Sequence, residues 1–176
     1  MEASPLPEWI LAARIVRPRG IRGEVIAELR AAGVTESLGR AAFELRRDNE
    51  APSPVRIESS WVHRDRLVLK IAGVDTIEQA EQLRGGQLWM RRADRVPAPE
   101  GACYTDELIG CLVFERPSGQ LLGKVTDCLD YGGPLLLEVT AGEREILIPF
   151  VPEICVEKDI VARRLVVVLP EGLKEL

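Results

Sequence analysis

The stretch LLGKVTDCLDYGGPLLLEVTAGEREILIPF, residues Leu121–Phe150, contains three apolar runs that are separated by turn-forming residues. Short runs rich in branched aliphatic residues and bounded by Gly and Pro are typical of β-strands. With the runs on either side, the pattern predicts five strands, at Cys111–Glu115, Leu121–Leu129, Leu135–Thr140, Glu145–Phe150 and Arg164–Leu169. Their regular spacing indicates a small β-barrel, and Gly123 predicts a bulge or bend at one of its corners.

The first half of the chain predicts a second set of strands and one helix. The strands are expected at Trp9–Val16, Glu24–Leu29, Ala42–Arg46, Val55–Val62, Arg66–Ala72 and Gln87–Arg91. A tight turn at His63–Arg64–Asp65 joins two of them. The helix is predicted over Thr76–Arg84, with Asp75 as its N-cap, Glu78 completing a capping box, and Gly85 as its C-terminal stop.

The segment Ala93–Gly101, with the sequence ADRVPAPEG, predicts a linker between the two halves. Proline biases the preceding residue towards extended backbone, and the segment has no apolar periodicity. We therefore expect an N-terminal β-barrel over residues 1–92, a linker over 93–101 and a C-terminal β-barrel over 102–176. The fold class is all-β with one short helix.

Charge is distributed unevenly along the 176 residues, whose net charge is −5. Residues 1–98 carry a net charge of +2 and residues 99–176 a net charge of −7. This asymmetry indicates different partners for the two halves, and the acidic half is a poor nucleic-acid binder. The N-terminus lacks the features of a signal peptide, and no apolar run approaches the length of a membrane span. We expect a soluble, cytoplasmic protein.

Residues able to carry out catalysis or bind a metal are few. The chain has one histidine, His63, and its four cysteines form no C-x-x-C pair. There is no phosphate-binding P-loop motif and no dinucleotide fingerprint. The cysteines are therefore interpreted as buried thiols, and we predict no catalytic residue, no metal site and no cofactor.

Two segments are candidate binding sites. The first carries Arg14, Arg17, Arg19 and Arg22, which Pro18 and Gly20 are expected to present on one exposed loop tip. Guanidinium groups match phosphate oxygens, so these residues are candidate RNA contacts; the alternative is a solvated hairpin. The second, Tyr104-Thr-Asp-Glu-Leu-Ile-Gly110, begins with an aromatic residue that either anchors a partner or closes the barrel.

The chain resembles the RimM family of bacterial ribosome maturation factors, also described as 16S rRNA processing proteins. The matching segments are Arg14–Glu24, Gly73–Asp75, Ala80–Gly85, Asp106–Gly110, Leu122–Val125, Ile146–Phe150 and Pro170–Leu173. Their order and spacing together carry the resemblance, which covers nearly the whole chain. It differs from the family pattern at several positions: Arg19 replaces a usual His, Cys103 the first of two adjacent aromatics, and Glu107 a usual Asp.

The resemblance implies an N-terminal six-stranded barrel like that of translation factors and a C-terminal PRC barrel. It also implies a non-enzymatic factor for late assembly of the small ribosomal subunit head and for ribosomal RNA processing. Such a protein binds free small subunits rather than whole ribosomes, through the nineteenth small-subunit ribosomal protein. The residues expected to contact that protein are Tyr104, Glu107, Leu108 and Ile109. A monomer without membrane association is expected; the alternatives are an RNA-processing enzyme and a PRC-barrel adaptor without a ribosomal role.

Overall fold

A computed structural model describes residues 2–48, 50–63 and 66–170 of the chain. These residues form two compact units, each built around its own β-sheet. The first unit comprises residues 7–98. The second comprises residues 99–170 together with residues 2–6, which the sequence prediction had placed in the N-terminal half.

The sheet of the first unit has seven strands and is antiparallel throughout. The strands are β1 (Trp9–Arg19), β2 (Glu24–Leu29), β3 (Phe43–Arg46), β4 (Ser53–Val55), β5 (Ile57–His63), β6 (Arg66–Ile71) and β7 (Gln87–Arg91). Their spatial order is β4-β3-β7-β1-β2-β6-β5, and the sheet curls into a half-barrel whose edge strands are β4, with three residues, and β5, with seven. Two short helices, α1 (Val34–Ser37) and α2 (Ile77–Gln82), accompany it, and a 3-10 turn follows at Arg92–Asp94.

The inner face of this sheet forms an aliphatic core. Ile15, Val25 and Leu69 alternate with outward-facing residues and are completely buried. Helix α2 contributes Ala80 to the same core, followed by Leu83 at its C-cap. Because the strand period is two, every second residue of β1, β2 and β6 is left on the outer face.

The second unit contains a six-stranded sheet and one short helix. The elements are α3 (Thr105–Leu108), β8 (Leu112–Glu115), β9 (Leu121–Leu129), β10 (Leu136–Ala141), β11 (Arg144–Pro149), β12 (Cys155–Asp159) and β13 (Arg164–Val167). The order is β11-β10-β9-β8-β13-β12, and only β8 and β13 pair in parallel. The predicted irregularity at Gly123 is confirmed: the register shifts beside it, and a Cβ there would lie 2.6 Å from the Thr140 carbonyl oxygen.

The all-β fold class is confirmed, with some corrections to the predicted elements. The expected strand Val55–Val62 is divided at Arg56, since β4 pairs with β3 whereas β5 pairs with β6. This gives the first sheet seven strands rather than six. Strand β12 and helices α1 and α3 were not predicted, because each is short and weakly patterned. The turn predicted at His63–Arg64–Asp65 lies partly outside the described residues; His63 itself is the exposed last residue of β5.

Helix α2 is shorter than predicted and begins one residue later. Its N-cap is Thr76, whose hydroxyl accepts a hydrogen bond from the Gln79 N–H at 3.3 Å. The Gln79 side chain in turn accepts from the Thr76 N–H at 3.1 Å, which completes a capping box. Asp75, the predicted cap, is the residue before the N-cap: its N–H donates to the Gln79 side chain at 2.7 Å and its carboxylate pairs with Lys70 at 2.8 Å. Gln79 thus takes the place that the prediction gave to Glu78.

Candidate functional site

The arginine segment is mostly strand rather than the predicted loop. Strand β1 continues to Arg19, and its pairing with β2 shifts register between Ile15 and Arg17. The extra residue, Val16, is a β-bulge, so residues on either side of it no longer alternate simply. As a result Arg14, Arg17 and Arg19 all lie on the outer face of the sheet, whereas the Ile15 side chain lies on the inner face, in the core.

The tip of the β1–β2 hairpin is held against the loop after β6. Gly23 has a φ of 74°, and a Cβ at this position would lie 2.0 Å from the Val74 carbonyl oxygen. Lys70 reinforces the contact, since its ammonium group donates to the Arg22 carbonyl at 2.9 Å and to the Val74 carbonyl. The tip is thus pre-ordered, and it exposes Ile21 at 81%.

The four predicted RNA contacts are divided between two places. Arg17 and Arg22 are exposed near the tip, whereas Arg19 is half-buried, pairs with Glu24 at 3.5 Å and lies 5.5 Å from the ring centre of Trp61. Arg14 lies five residues before Arg19, roughly 15 Å away at the rise of a β-strand. The expectation that all four arginines share one tip is therefore wrong for Arg14.

All three tryptophans lie on the outer face of the first sheet rather than in its core. Arg46 lies between two of them, 5.1 Å from the ring centre of Trp9 and 4.6 Å from that of Trp89. This face was missed in the sequence reasoning. The sequence pattern does predict it for Trp89. This residue stands between the apolar Leu88 and Met90, and since side chains alternate along a strand, it lies on the face opposite to theirs.

The second candidate site surrounds helix α3 in the other unit. Tyr104 is half-buried, and its N–H donates to the Glu107 carboxylate at 3.0 Å. Ile109 is 41% exposed and is available to a partner, whereas Leu108 is completely buried in the core. Leu108 therefore cannot contact the ribosomal protein as predicted; it fixes α3 to the core from beneath.

Arg163 holds this segment in place and was not identified from the sequence. It is 7% exposed, and its guanidinium donates to the carbonyls of Glu107 and Ile109 and, at 2.9 Å, to that of Ser4. The Ser4 N–H also donates to the Gly110 carbonyl at 3.3 Å. The N-terminal residues and the candidate binding segment are thus joined through one buried cation.

The thiols of the second unit are held in their protonated form. Burial raises the pKa of Cys128 and that of Cys155 to about 11, and it also raises the pKa values of Cys103 and Cys111. A neutral thiol is a poor nucleophile and a poor metal ligand. Among the residues that the structure describes, no three histidine, cysteine or acidic side chains are grouped so that they could hold a metal ion.

The surface of the second unit is acidic. Eight carboxylate residues within residues 99–170 are exposed, namely Glu100, Asp127, Asp130, Glu143, Glu145, Glu153, Glu157 and Asp159. Only one of them, Glu157, has an ion pair among those the structure shows, with Arg116 at 2.9 Å. Such a surface favours a basic partner. No helix in the described parts of the chain is long and apolar enough to cross a membrane.

Comparison with known proteins identifies the family of both units. A ribosome maturation factor RimM of Solibacter usitatus is 40% identical over 170 residues, covering 96% of this chain and 94% of that protein. The corresponding protein of Acidobacterium capsulatum is 36% identical over 98% of this chain and 83% of its own length. Among solved structures, a 16S ribosomal RNA processing protein RimM of Pseudomonas aeruginosa is 26% identical, with a TM-score of 0.46 over 92% of this chain and 98% of its own.

The family matches follow the two halves of the chain. The model of the RimM N-terminal domain matches residues 10–95, and that of the RimM PRC barrel domain matches residues 105–173. The two domain matches follow one another along the chain, and the similarity to each of the two relatives extends over nearly its whole length. The chain therefore belongs to the RimM family of ribosome maturation factors.

Proposed function

We propose that this protein is a non-enzymatic assembly factor for late maturation of the small ribosomal subunit head. The observation that carries the proposal is the 40% identity to a ribosome maturation factor over 96% of the chain, with both family domains present. The protein would work in the cytoplasm as a monomer and need no cofactor. The thiols with raised pKa values and the scarcity of histidine agree with binding rather than catalysis.

The first domain is proposed to contact ribosomal RNA through the hairpin tip. Arg17 and Arg22 are exposed, and Arg19 lies two residues from Arg17 on the same face of β1. The glycine and lysine contacts beneath the tip order it before binding, which reduces the entropy lost when an arginine fork meets a phosphate. RNA contact at this position would orient the protein on the subunit without reading sequence.

The second domain is proposed to bind the nineteenth small-subunit ribosomal protein. Tyr104, Glu107 and Ile109 would form the contact, and the exposed carboxylates around the domain would attract a basic partner. Electrostatic attraction mainly raises the association rate, whereas a half-buried aromatic mainly lowers the dissociation rate. Leu108 takes no part in this contact because it is buried.

The proposed mechanism is stabilisation by binding. A protein that contacts RNA with one domain and a ribosomal protein with the other prefers the head conformation in which both are correctly placed. Binding shifts the population of immature subunits towards that conformation, and no bond needs to be made or broken.

Co-sedimentation on a sucrose gradient tests this function. The purified protein should migrate with free small subunits and be absent from the fractions of whole ribosomes. If it sediments with neither, a PRC-barrel adaptor without a ribosomal role replaces the proposal. Incubation of the protein with precursor ribosomal RNA tests the enzymatic alternative, and cleavage or modification of that RNA would overturn the non-enzymatic assignment.

A further inference from the structure

A cleft of about 250 Å³ lies at the side of the first unit, away from the hairpin tip. Its lining residues are Arg14, Ile15, Val16, Glu28, Arg30, Arg84 and Gly85. Three arginines thus reach one cleft from three different elements: the middle of β1, the residue after β2 and the segment after α2. Neither Arg30 nor Arg84 was recognised from the sequence, since they stand 16 and 70 residues from Arg14.

The arginines of the cleft retain hydrogen-bonding capacity for a ligand. Arg30 donates to Glu28 at 3.0 Å, and Arg84 donates to Glu81 at 3.2 Å; each contact uses a single terminal nitrogen. A guanidinium has five N–H donors, so most remain available. Arg14 is exposed, and the described structure shows no ion pair for it. With Glu28 in the lining and Glu81 beside it, three cations face two carboxylates.

The floor of the cleft is rigid main chain. The Gly85 N–H donates to the Ile15 carbonyl at 2.9 Å, and the Ile15 N–H donates to the Gly86 carbonyl at 2.8 Å. These bonds join β1 to the segment between α2 and β7. A Cβ at Gly85 would have no atom within 4 Å, so the space above the floor is open. Because the scaffold is fixed before binding, little ordering is required of the protein.

We propose that this cleft is a second RNA-backbone site, in which Arg14, Arg30 and Arg84 bind phosphate groups. Arginine forks match phosphate oxygens, and a preformed positive cleft suits a ligand that carries one charge per nucleotide. The cleft is smaller than the roughly 300–1,000 Å³ typical of small-molecule sites, and it is open, so it fits a passing strand rather than an enclosed ligand. The proposal rests on the proposed function and extends it. The protein would hold RNA at two points, the hairpin tip and the cleft.

The direct test is the affinity of the full chain for a fluorescent twelve-nucleotide uridine RNA, measured by anisotropy over a series of salt concentrations. The double variant Arg14→Gln/Arg84→Gln should bind at least tenfold more weakly. Its plot of log affinity against log salt should be shallower by about 1.4, because each phosphate contact on a single strand contributes about 0.7 to that slope. Arg14→Lys keeps the charge but loses the fork, and it should bind with intermediate affinity.

Arg56→Gln is the matched control. Arg56 is exposed and pairs with Glu58 two residues away, as Arg30 pairs with Glu28, but it lies outside the cleft. It should change the RNA affinity by less than twofold. An equal loss in Arg56→Gln and in either single variant, Arg14→Gln or Arg84→Gln, would show diffuse attraction only and overturn the site. The site would also be overturned if the cleft variants lost binding to a glutamate-rich peptide while they kept the wild-type affinity for RNA. Melting temperatures of all variants identify any that fail through unfolding, and in that case Arg14→Lys decides the question.

Co-sedimentation of the same variants separates this site from the proposed function. If the wild-type chain binds small subunits while the cleft variants keep full RNA affinity, the proposal of an RNA site in the cleft is wrong and the proposed function stands. If the wild-type chain fails to bind small subunits while the cleft variants lose RNA affinity, the site stands and the function is wrong.

Discussion

The hairpin tip of the first unit and the segment Tyr104–Ile109 of the second are ordered by the same device. In each, a basic side chain donates to main-chain carbonyls: Lys70 joins the tip at Arg22 to the adjacent loop at Val74, and Arg163 donates to Glu107 and Ile109 of the segment. The difference is burial. The Lys70 side chain is 19% exposed and is neutralised by Asp75, whereas Arg163 is 7% exposed and also binds the carbonyl of Ser4.

This difference in burial indicates which of the two segments tolerates the loss of its basic side chain. Water can replace a partly exposed ammonium, so the carbonyls around Lys70 would not stay unpaired if it were lost. Arg163 is itself buried, and hydrogen bonds from a charged group contribute about 1.5–3 kcal/mol each. The tip is therefore held where its backbone approaches Val74 at Gly23, and the α3 segment by Arg163 together with the buried Leu108.

The largest expected effect is that of Arg163→Met. Removing the guanidinium leaves the carbonyls of Ser4 and Ile109 without this donor and that of Glu107 with only the Cys111 thiol at 3.4 Å, so the second unit should lose about 3 kcal/mol of unfolding free energy. Urea unfolding followed by circular dichroism measures the loss. Because all three tryptophans lie in residues 7–98, tryptophan fluorescence reports the first unit separately and should change little.

Arg164→Met is the control for that experiment. Arg164 is the next residue, is exposed, and lies 5.0 Å from the ring centre of Phe114. It should cost less than about 1 kcal/mol, the range of an exposed cation–π contact. Equal losses in the two variants would remove the distinction between a buried and an exposed clamp.

The second effect concerns Gly23→Ala at the hairpin tip. The new Cβ would meet the Val74 carbonyl and force a left-handed backbone on a residue that disfavours it, which should cost about 2–3 kcal/mol. Gly20→Ala is the matched control, because Gly20 has a φ of 63° but its nearest contact is a flexible Glu24 side-chain atom at 3.7 Å. It should cost only about 1 kcal/mol. Thermal unfolding measured by tryptophan fluorescence compares them, and equal costs would show that the approach to Val74 is unimportant.

Tyr104→Ala should act on the partner contact of the second unit. If Tyr104 anchors the nineteenth ribosomal protein, its loss should raise the dissociation rate at a cost of about 2 kcal/mol, with little change in association. Added salt should instead slow association. Surface plasmon resonance on the full chain measures both rates. The isolated fragment 101–176 is unsuitable, because it lacks the Ser4 carbonyl that binds Arg163.

The rival role of Tyr104 is closure of the barrel. In that case Tyr104→Ala would lower the melting temperature of the second unit, and weak binding would follow from unfolding alone. Ile109→Ala is a useful companion, since Ile109 is exposed and its removal should weaken binding without changing stability. A Tyr104 variant that is stable and binds at the wild-type rate would move the interface elsewhere.

The triple variant Arg17→Gln/Arg19→Gln/Arg22→Gln should change binding rather than folding. Exposed substitutions usually change stability by only about 0.5 kcal/mol each, although Arg19 also loses its pair with Glu24. Binding to small subunits should weaken, and its salt dependence should flatten as fewer counterions are released. Filter binding at several salt concentrations measures this, and an unchanged slope would leave the tip as a solvated hairpin.

Much of the fold was determined by the sequence alone, because it depends on local patterns. Alternating aliphatic runs with Gly and Pro between them predict an all-β chain, and strand β9 was located at its observed bounds, Leu121–Leu129. The irregularity at Gly123 was also predictable, since glycine inside a strand signals one. Motif order pointed to the family without any structural information.

The candidate sites depended on the tertiary structure, because they are set by register and by contacts distant in sequence. Because Val16 forms a bulge, Arg14 and Arg17 lie on the same face of the sheet although they are three residues apart. A register shift of one residue between paired strands cannot be recognised from the hydrophobic pattern. Leu108 was predicted as a contact but is buried, since the helix that carries it is too short to show a period. Arg163 meets Ser4 across 159 residues, and no local signal marks a pair at that separation.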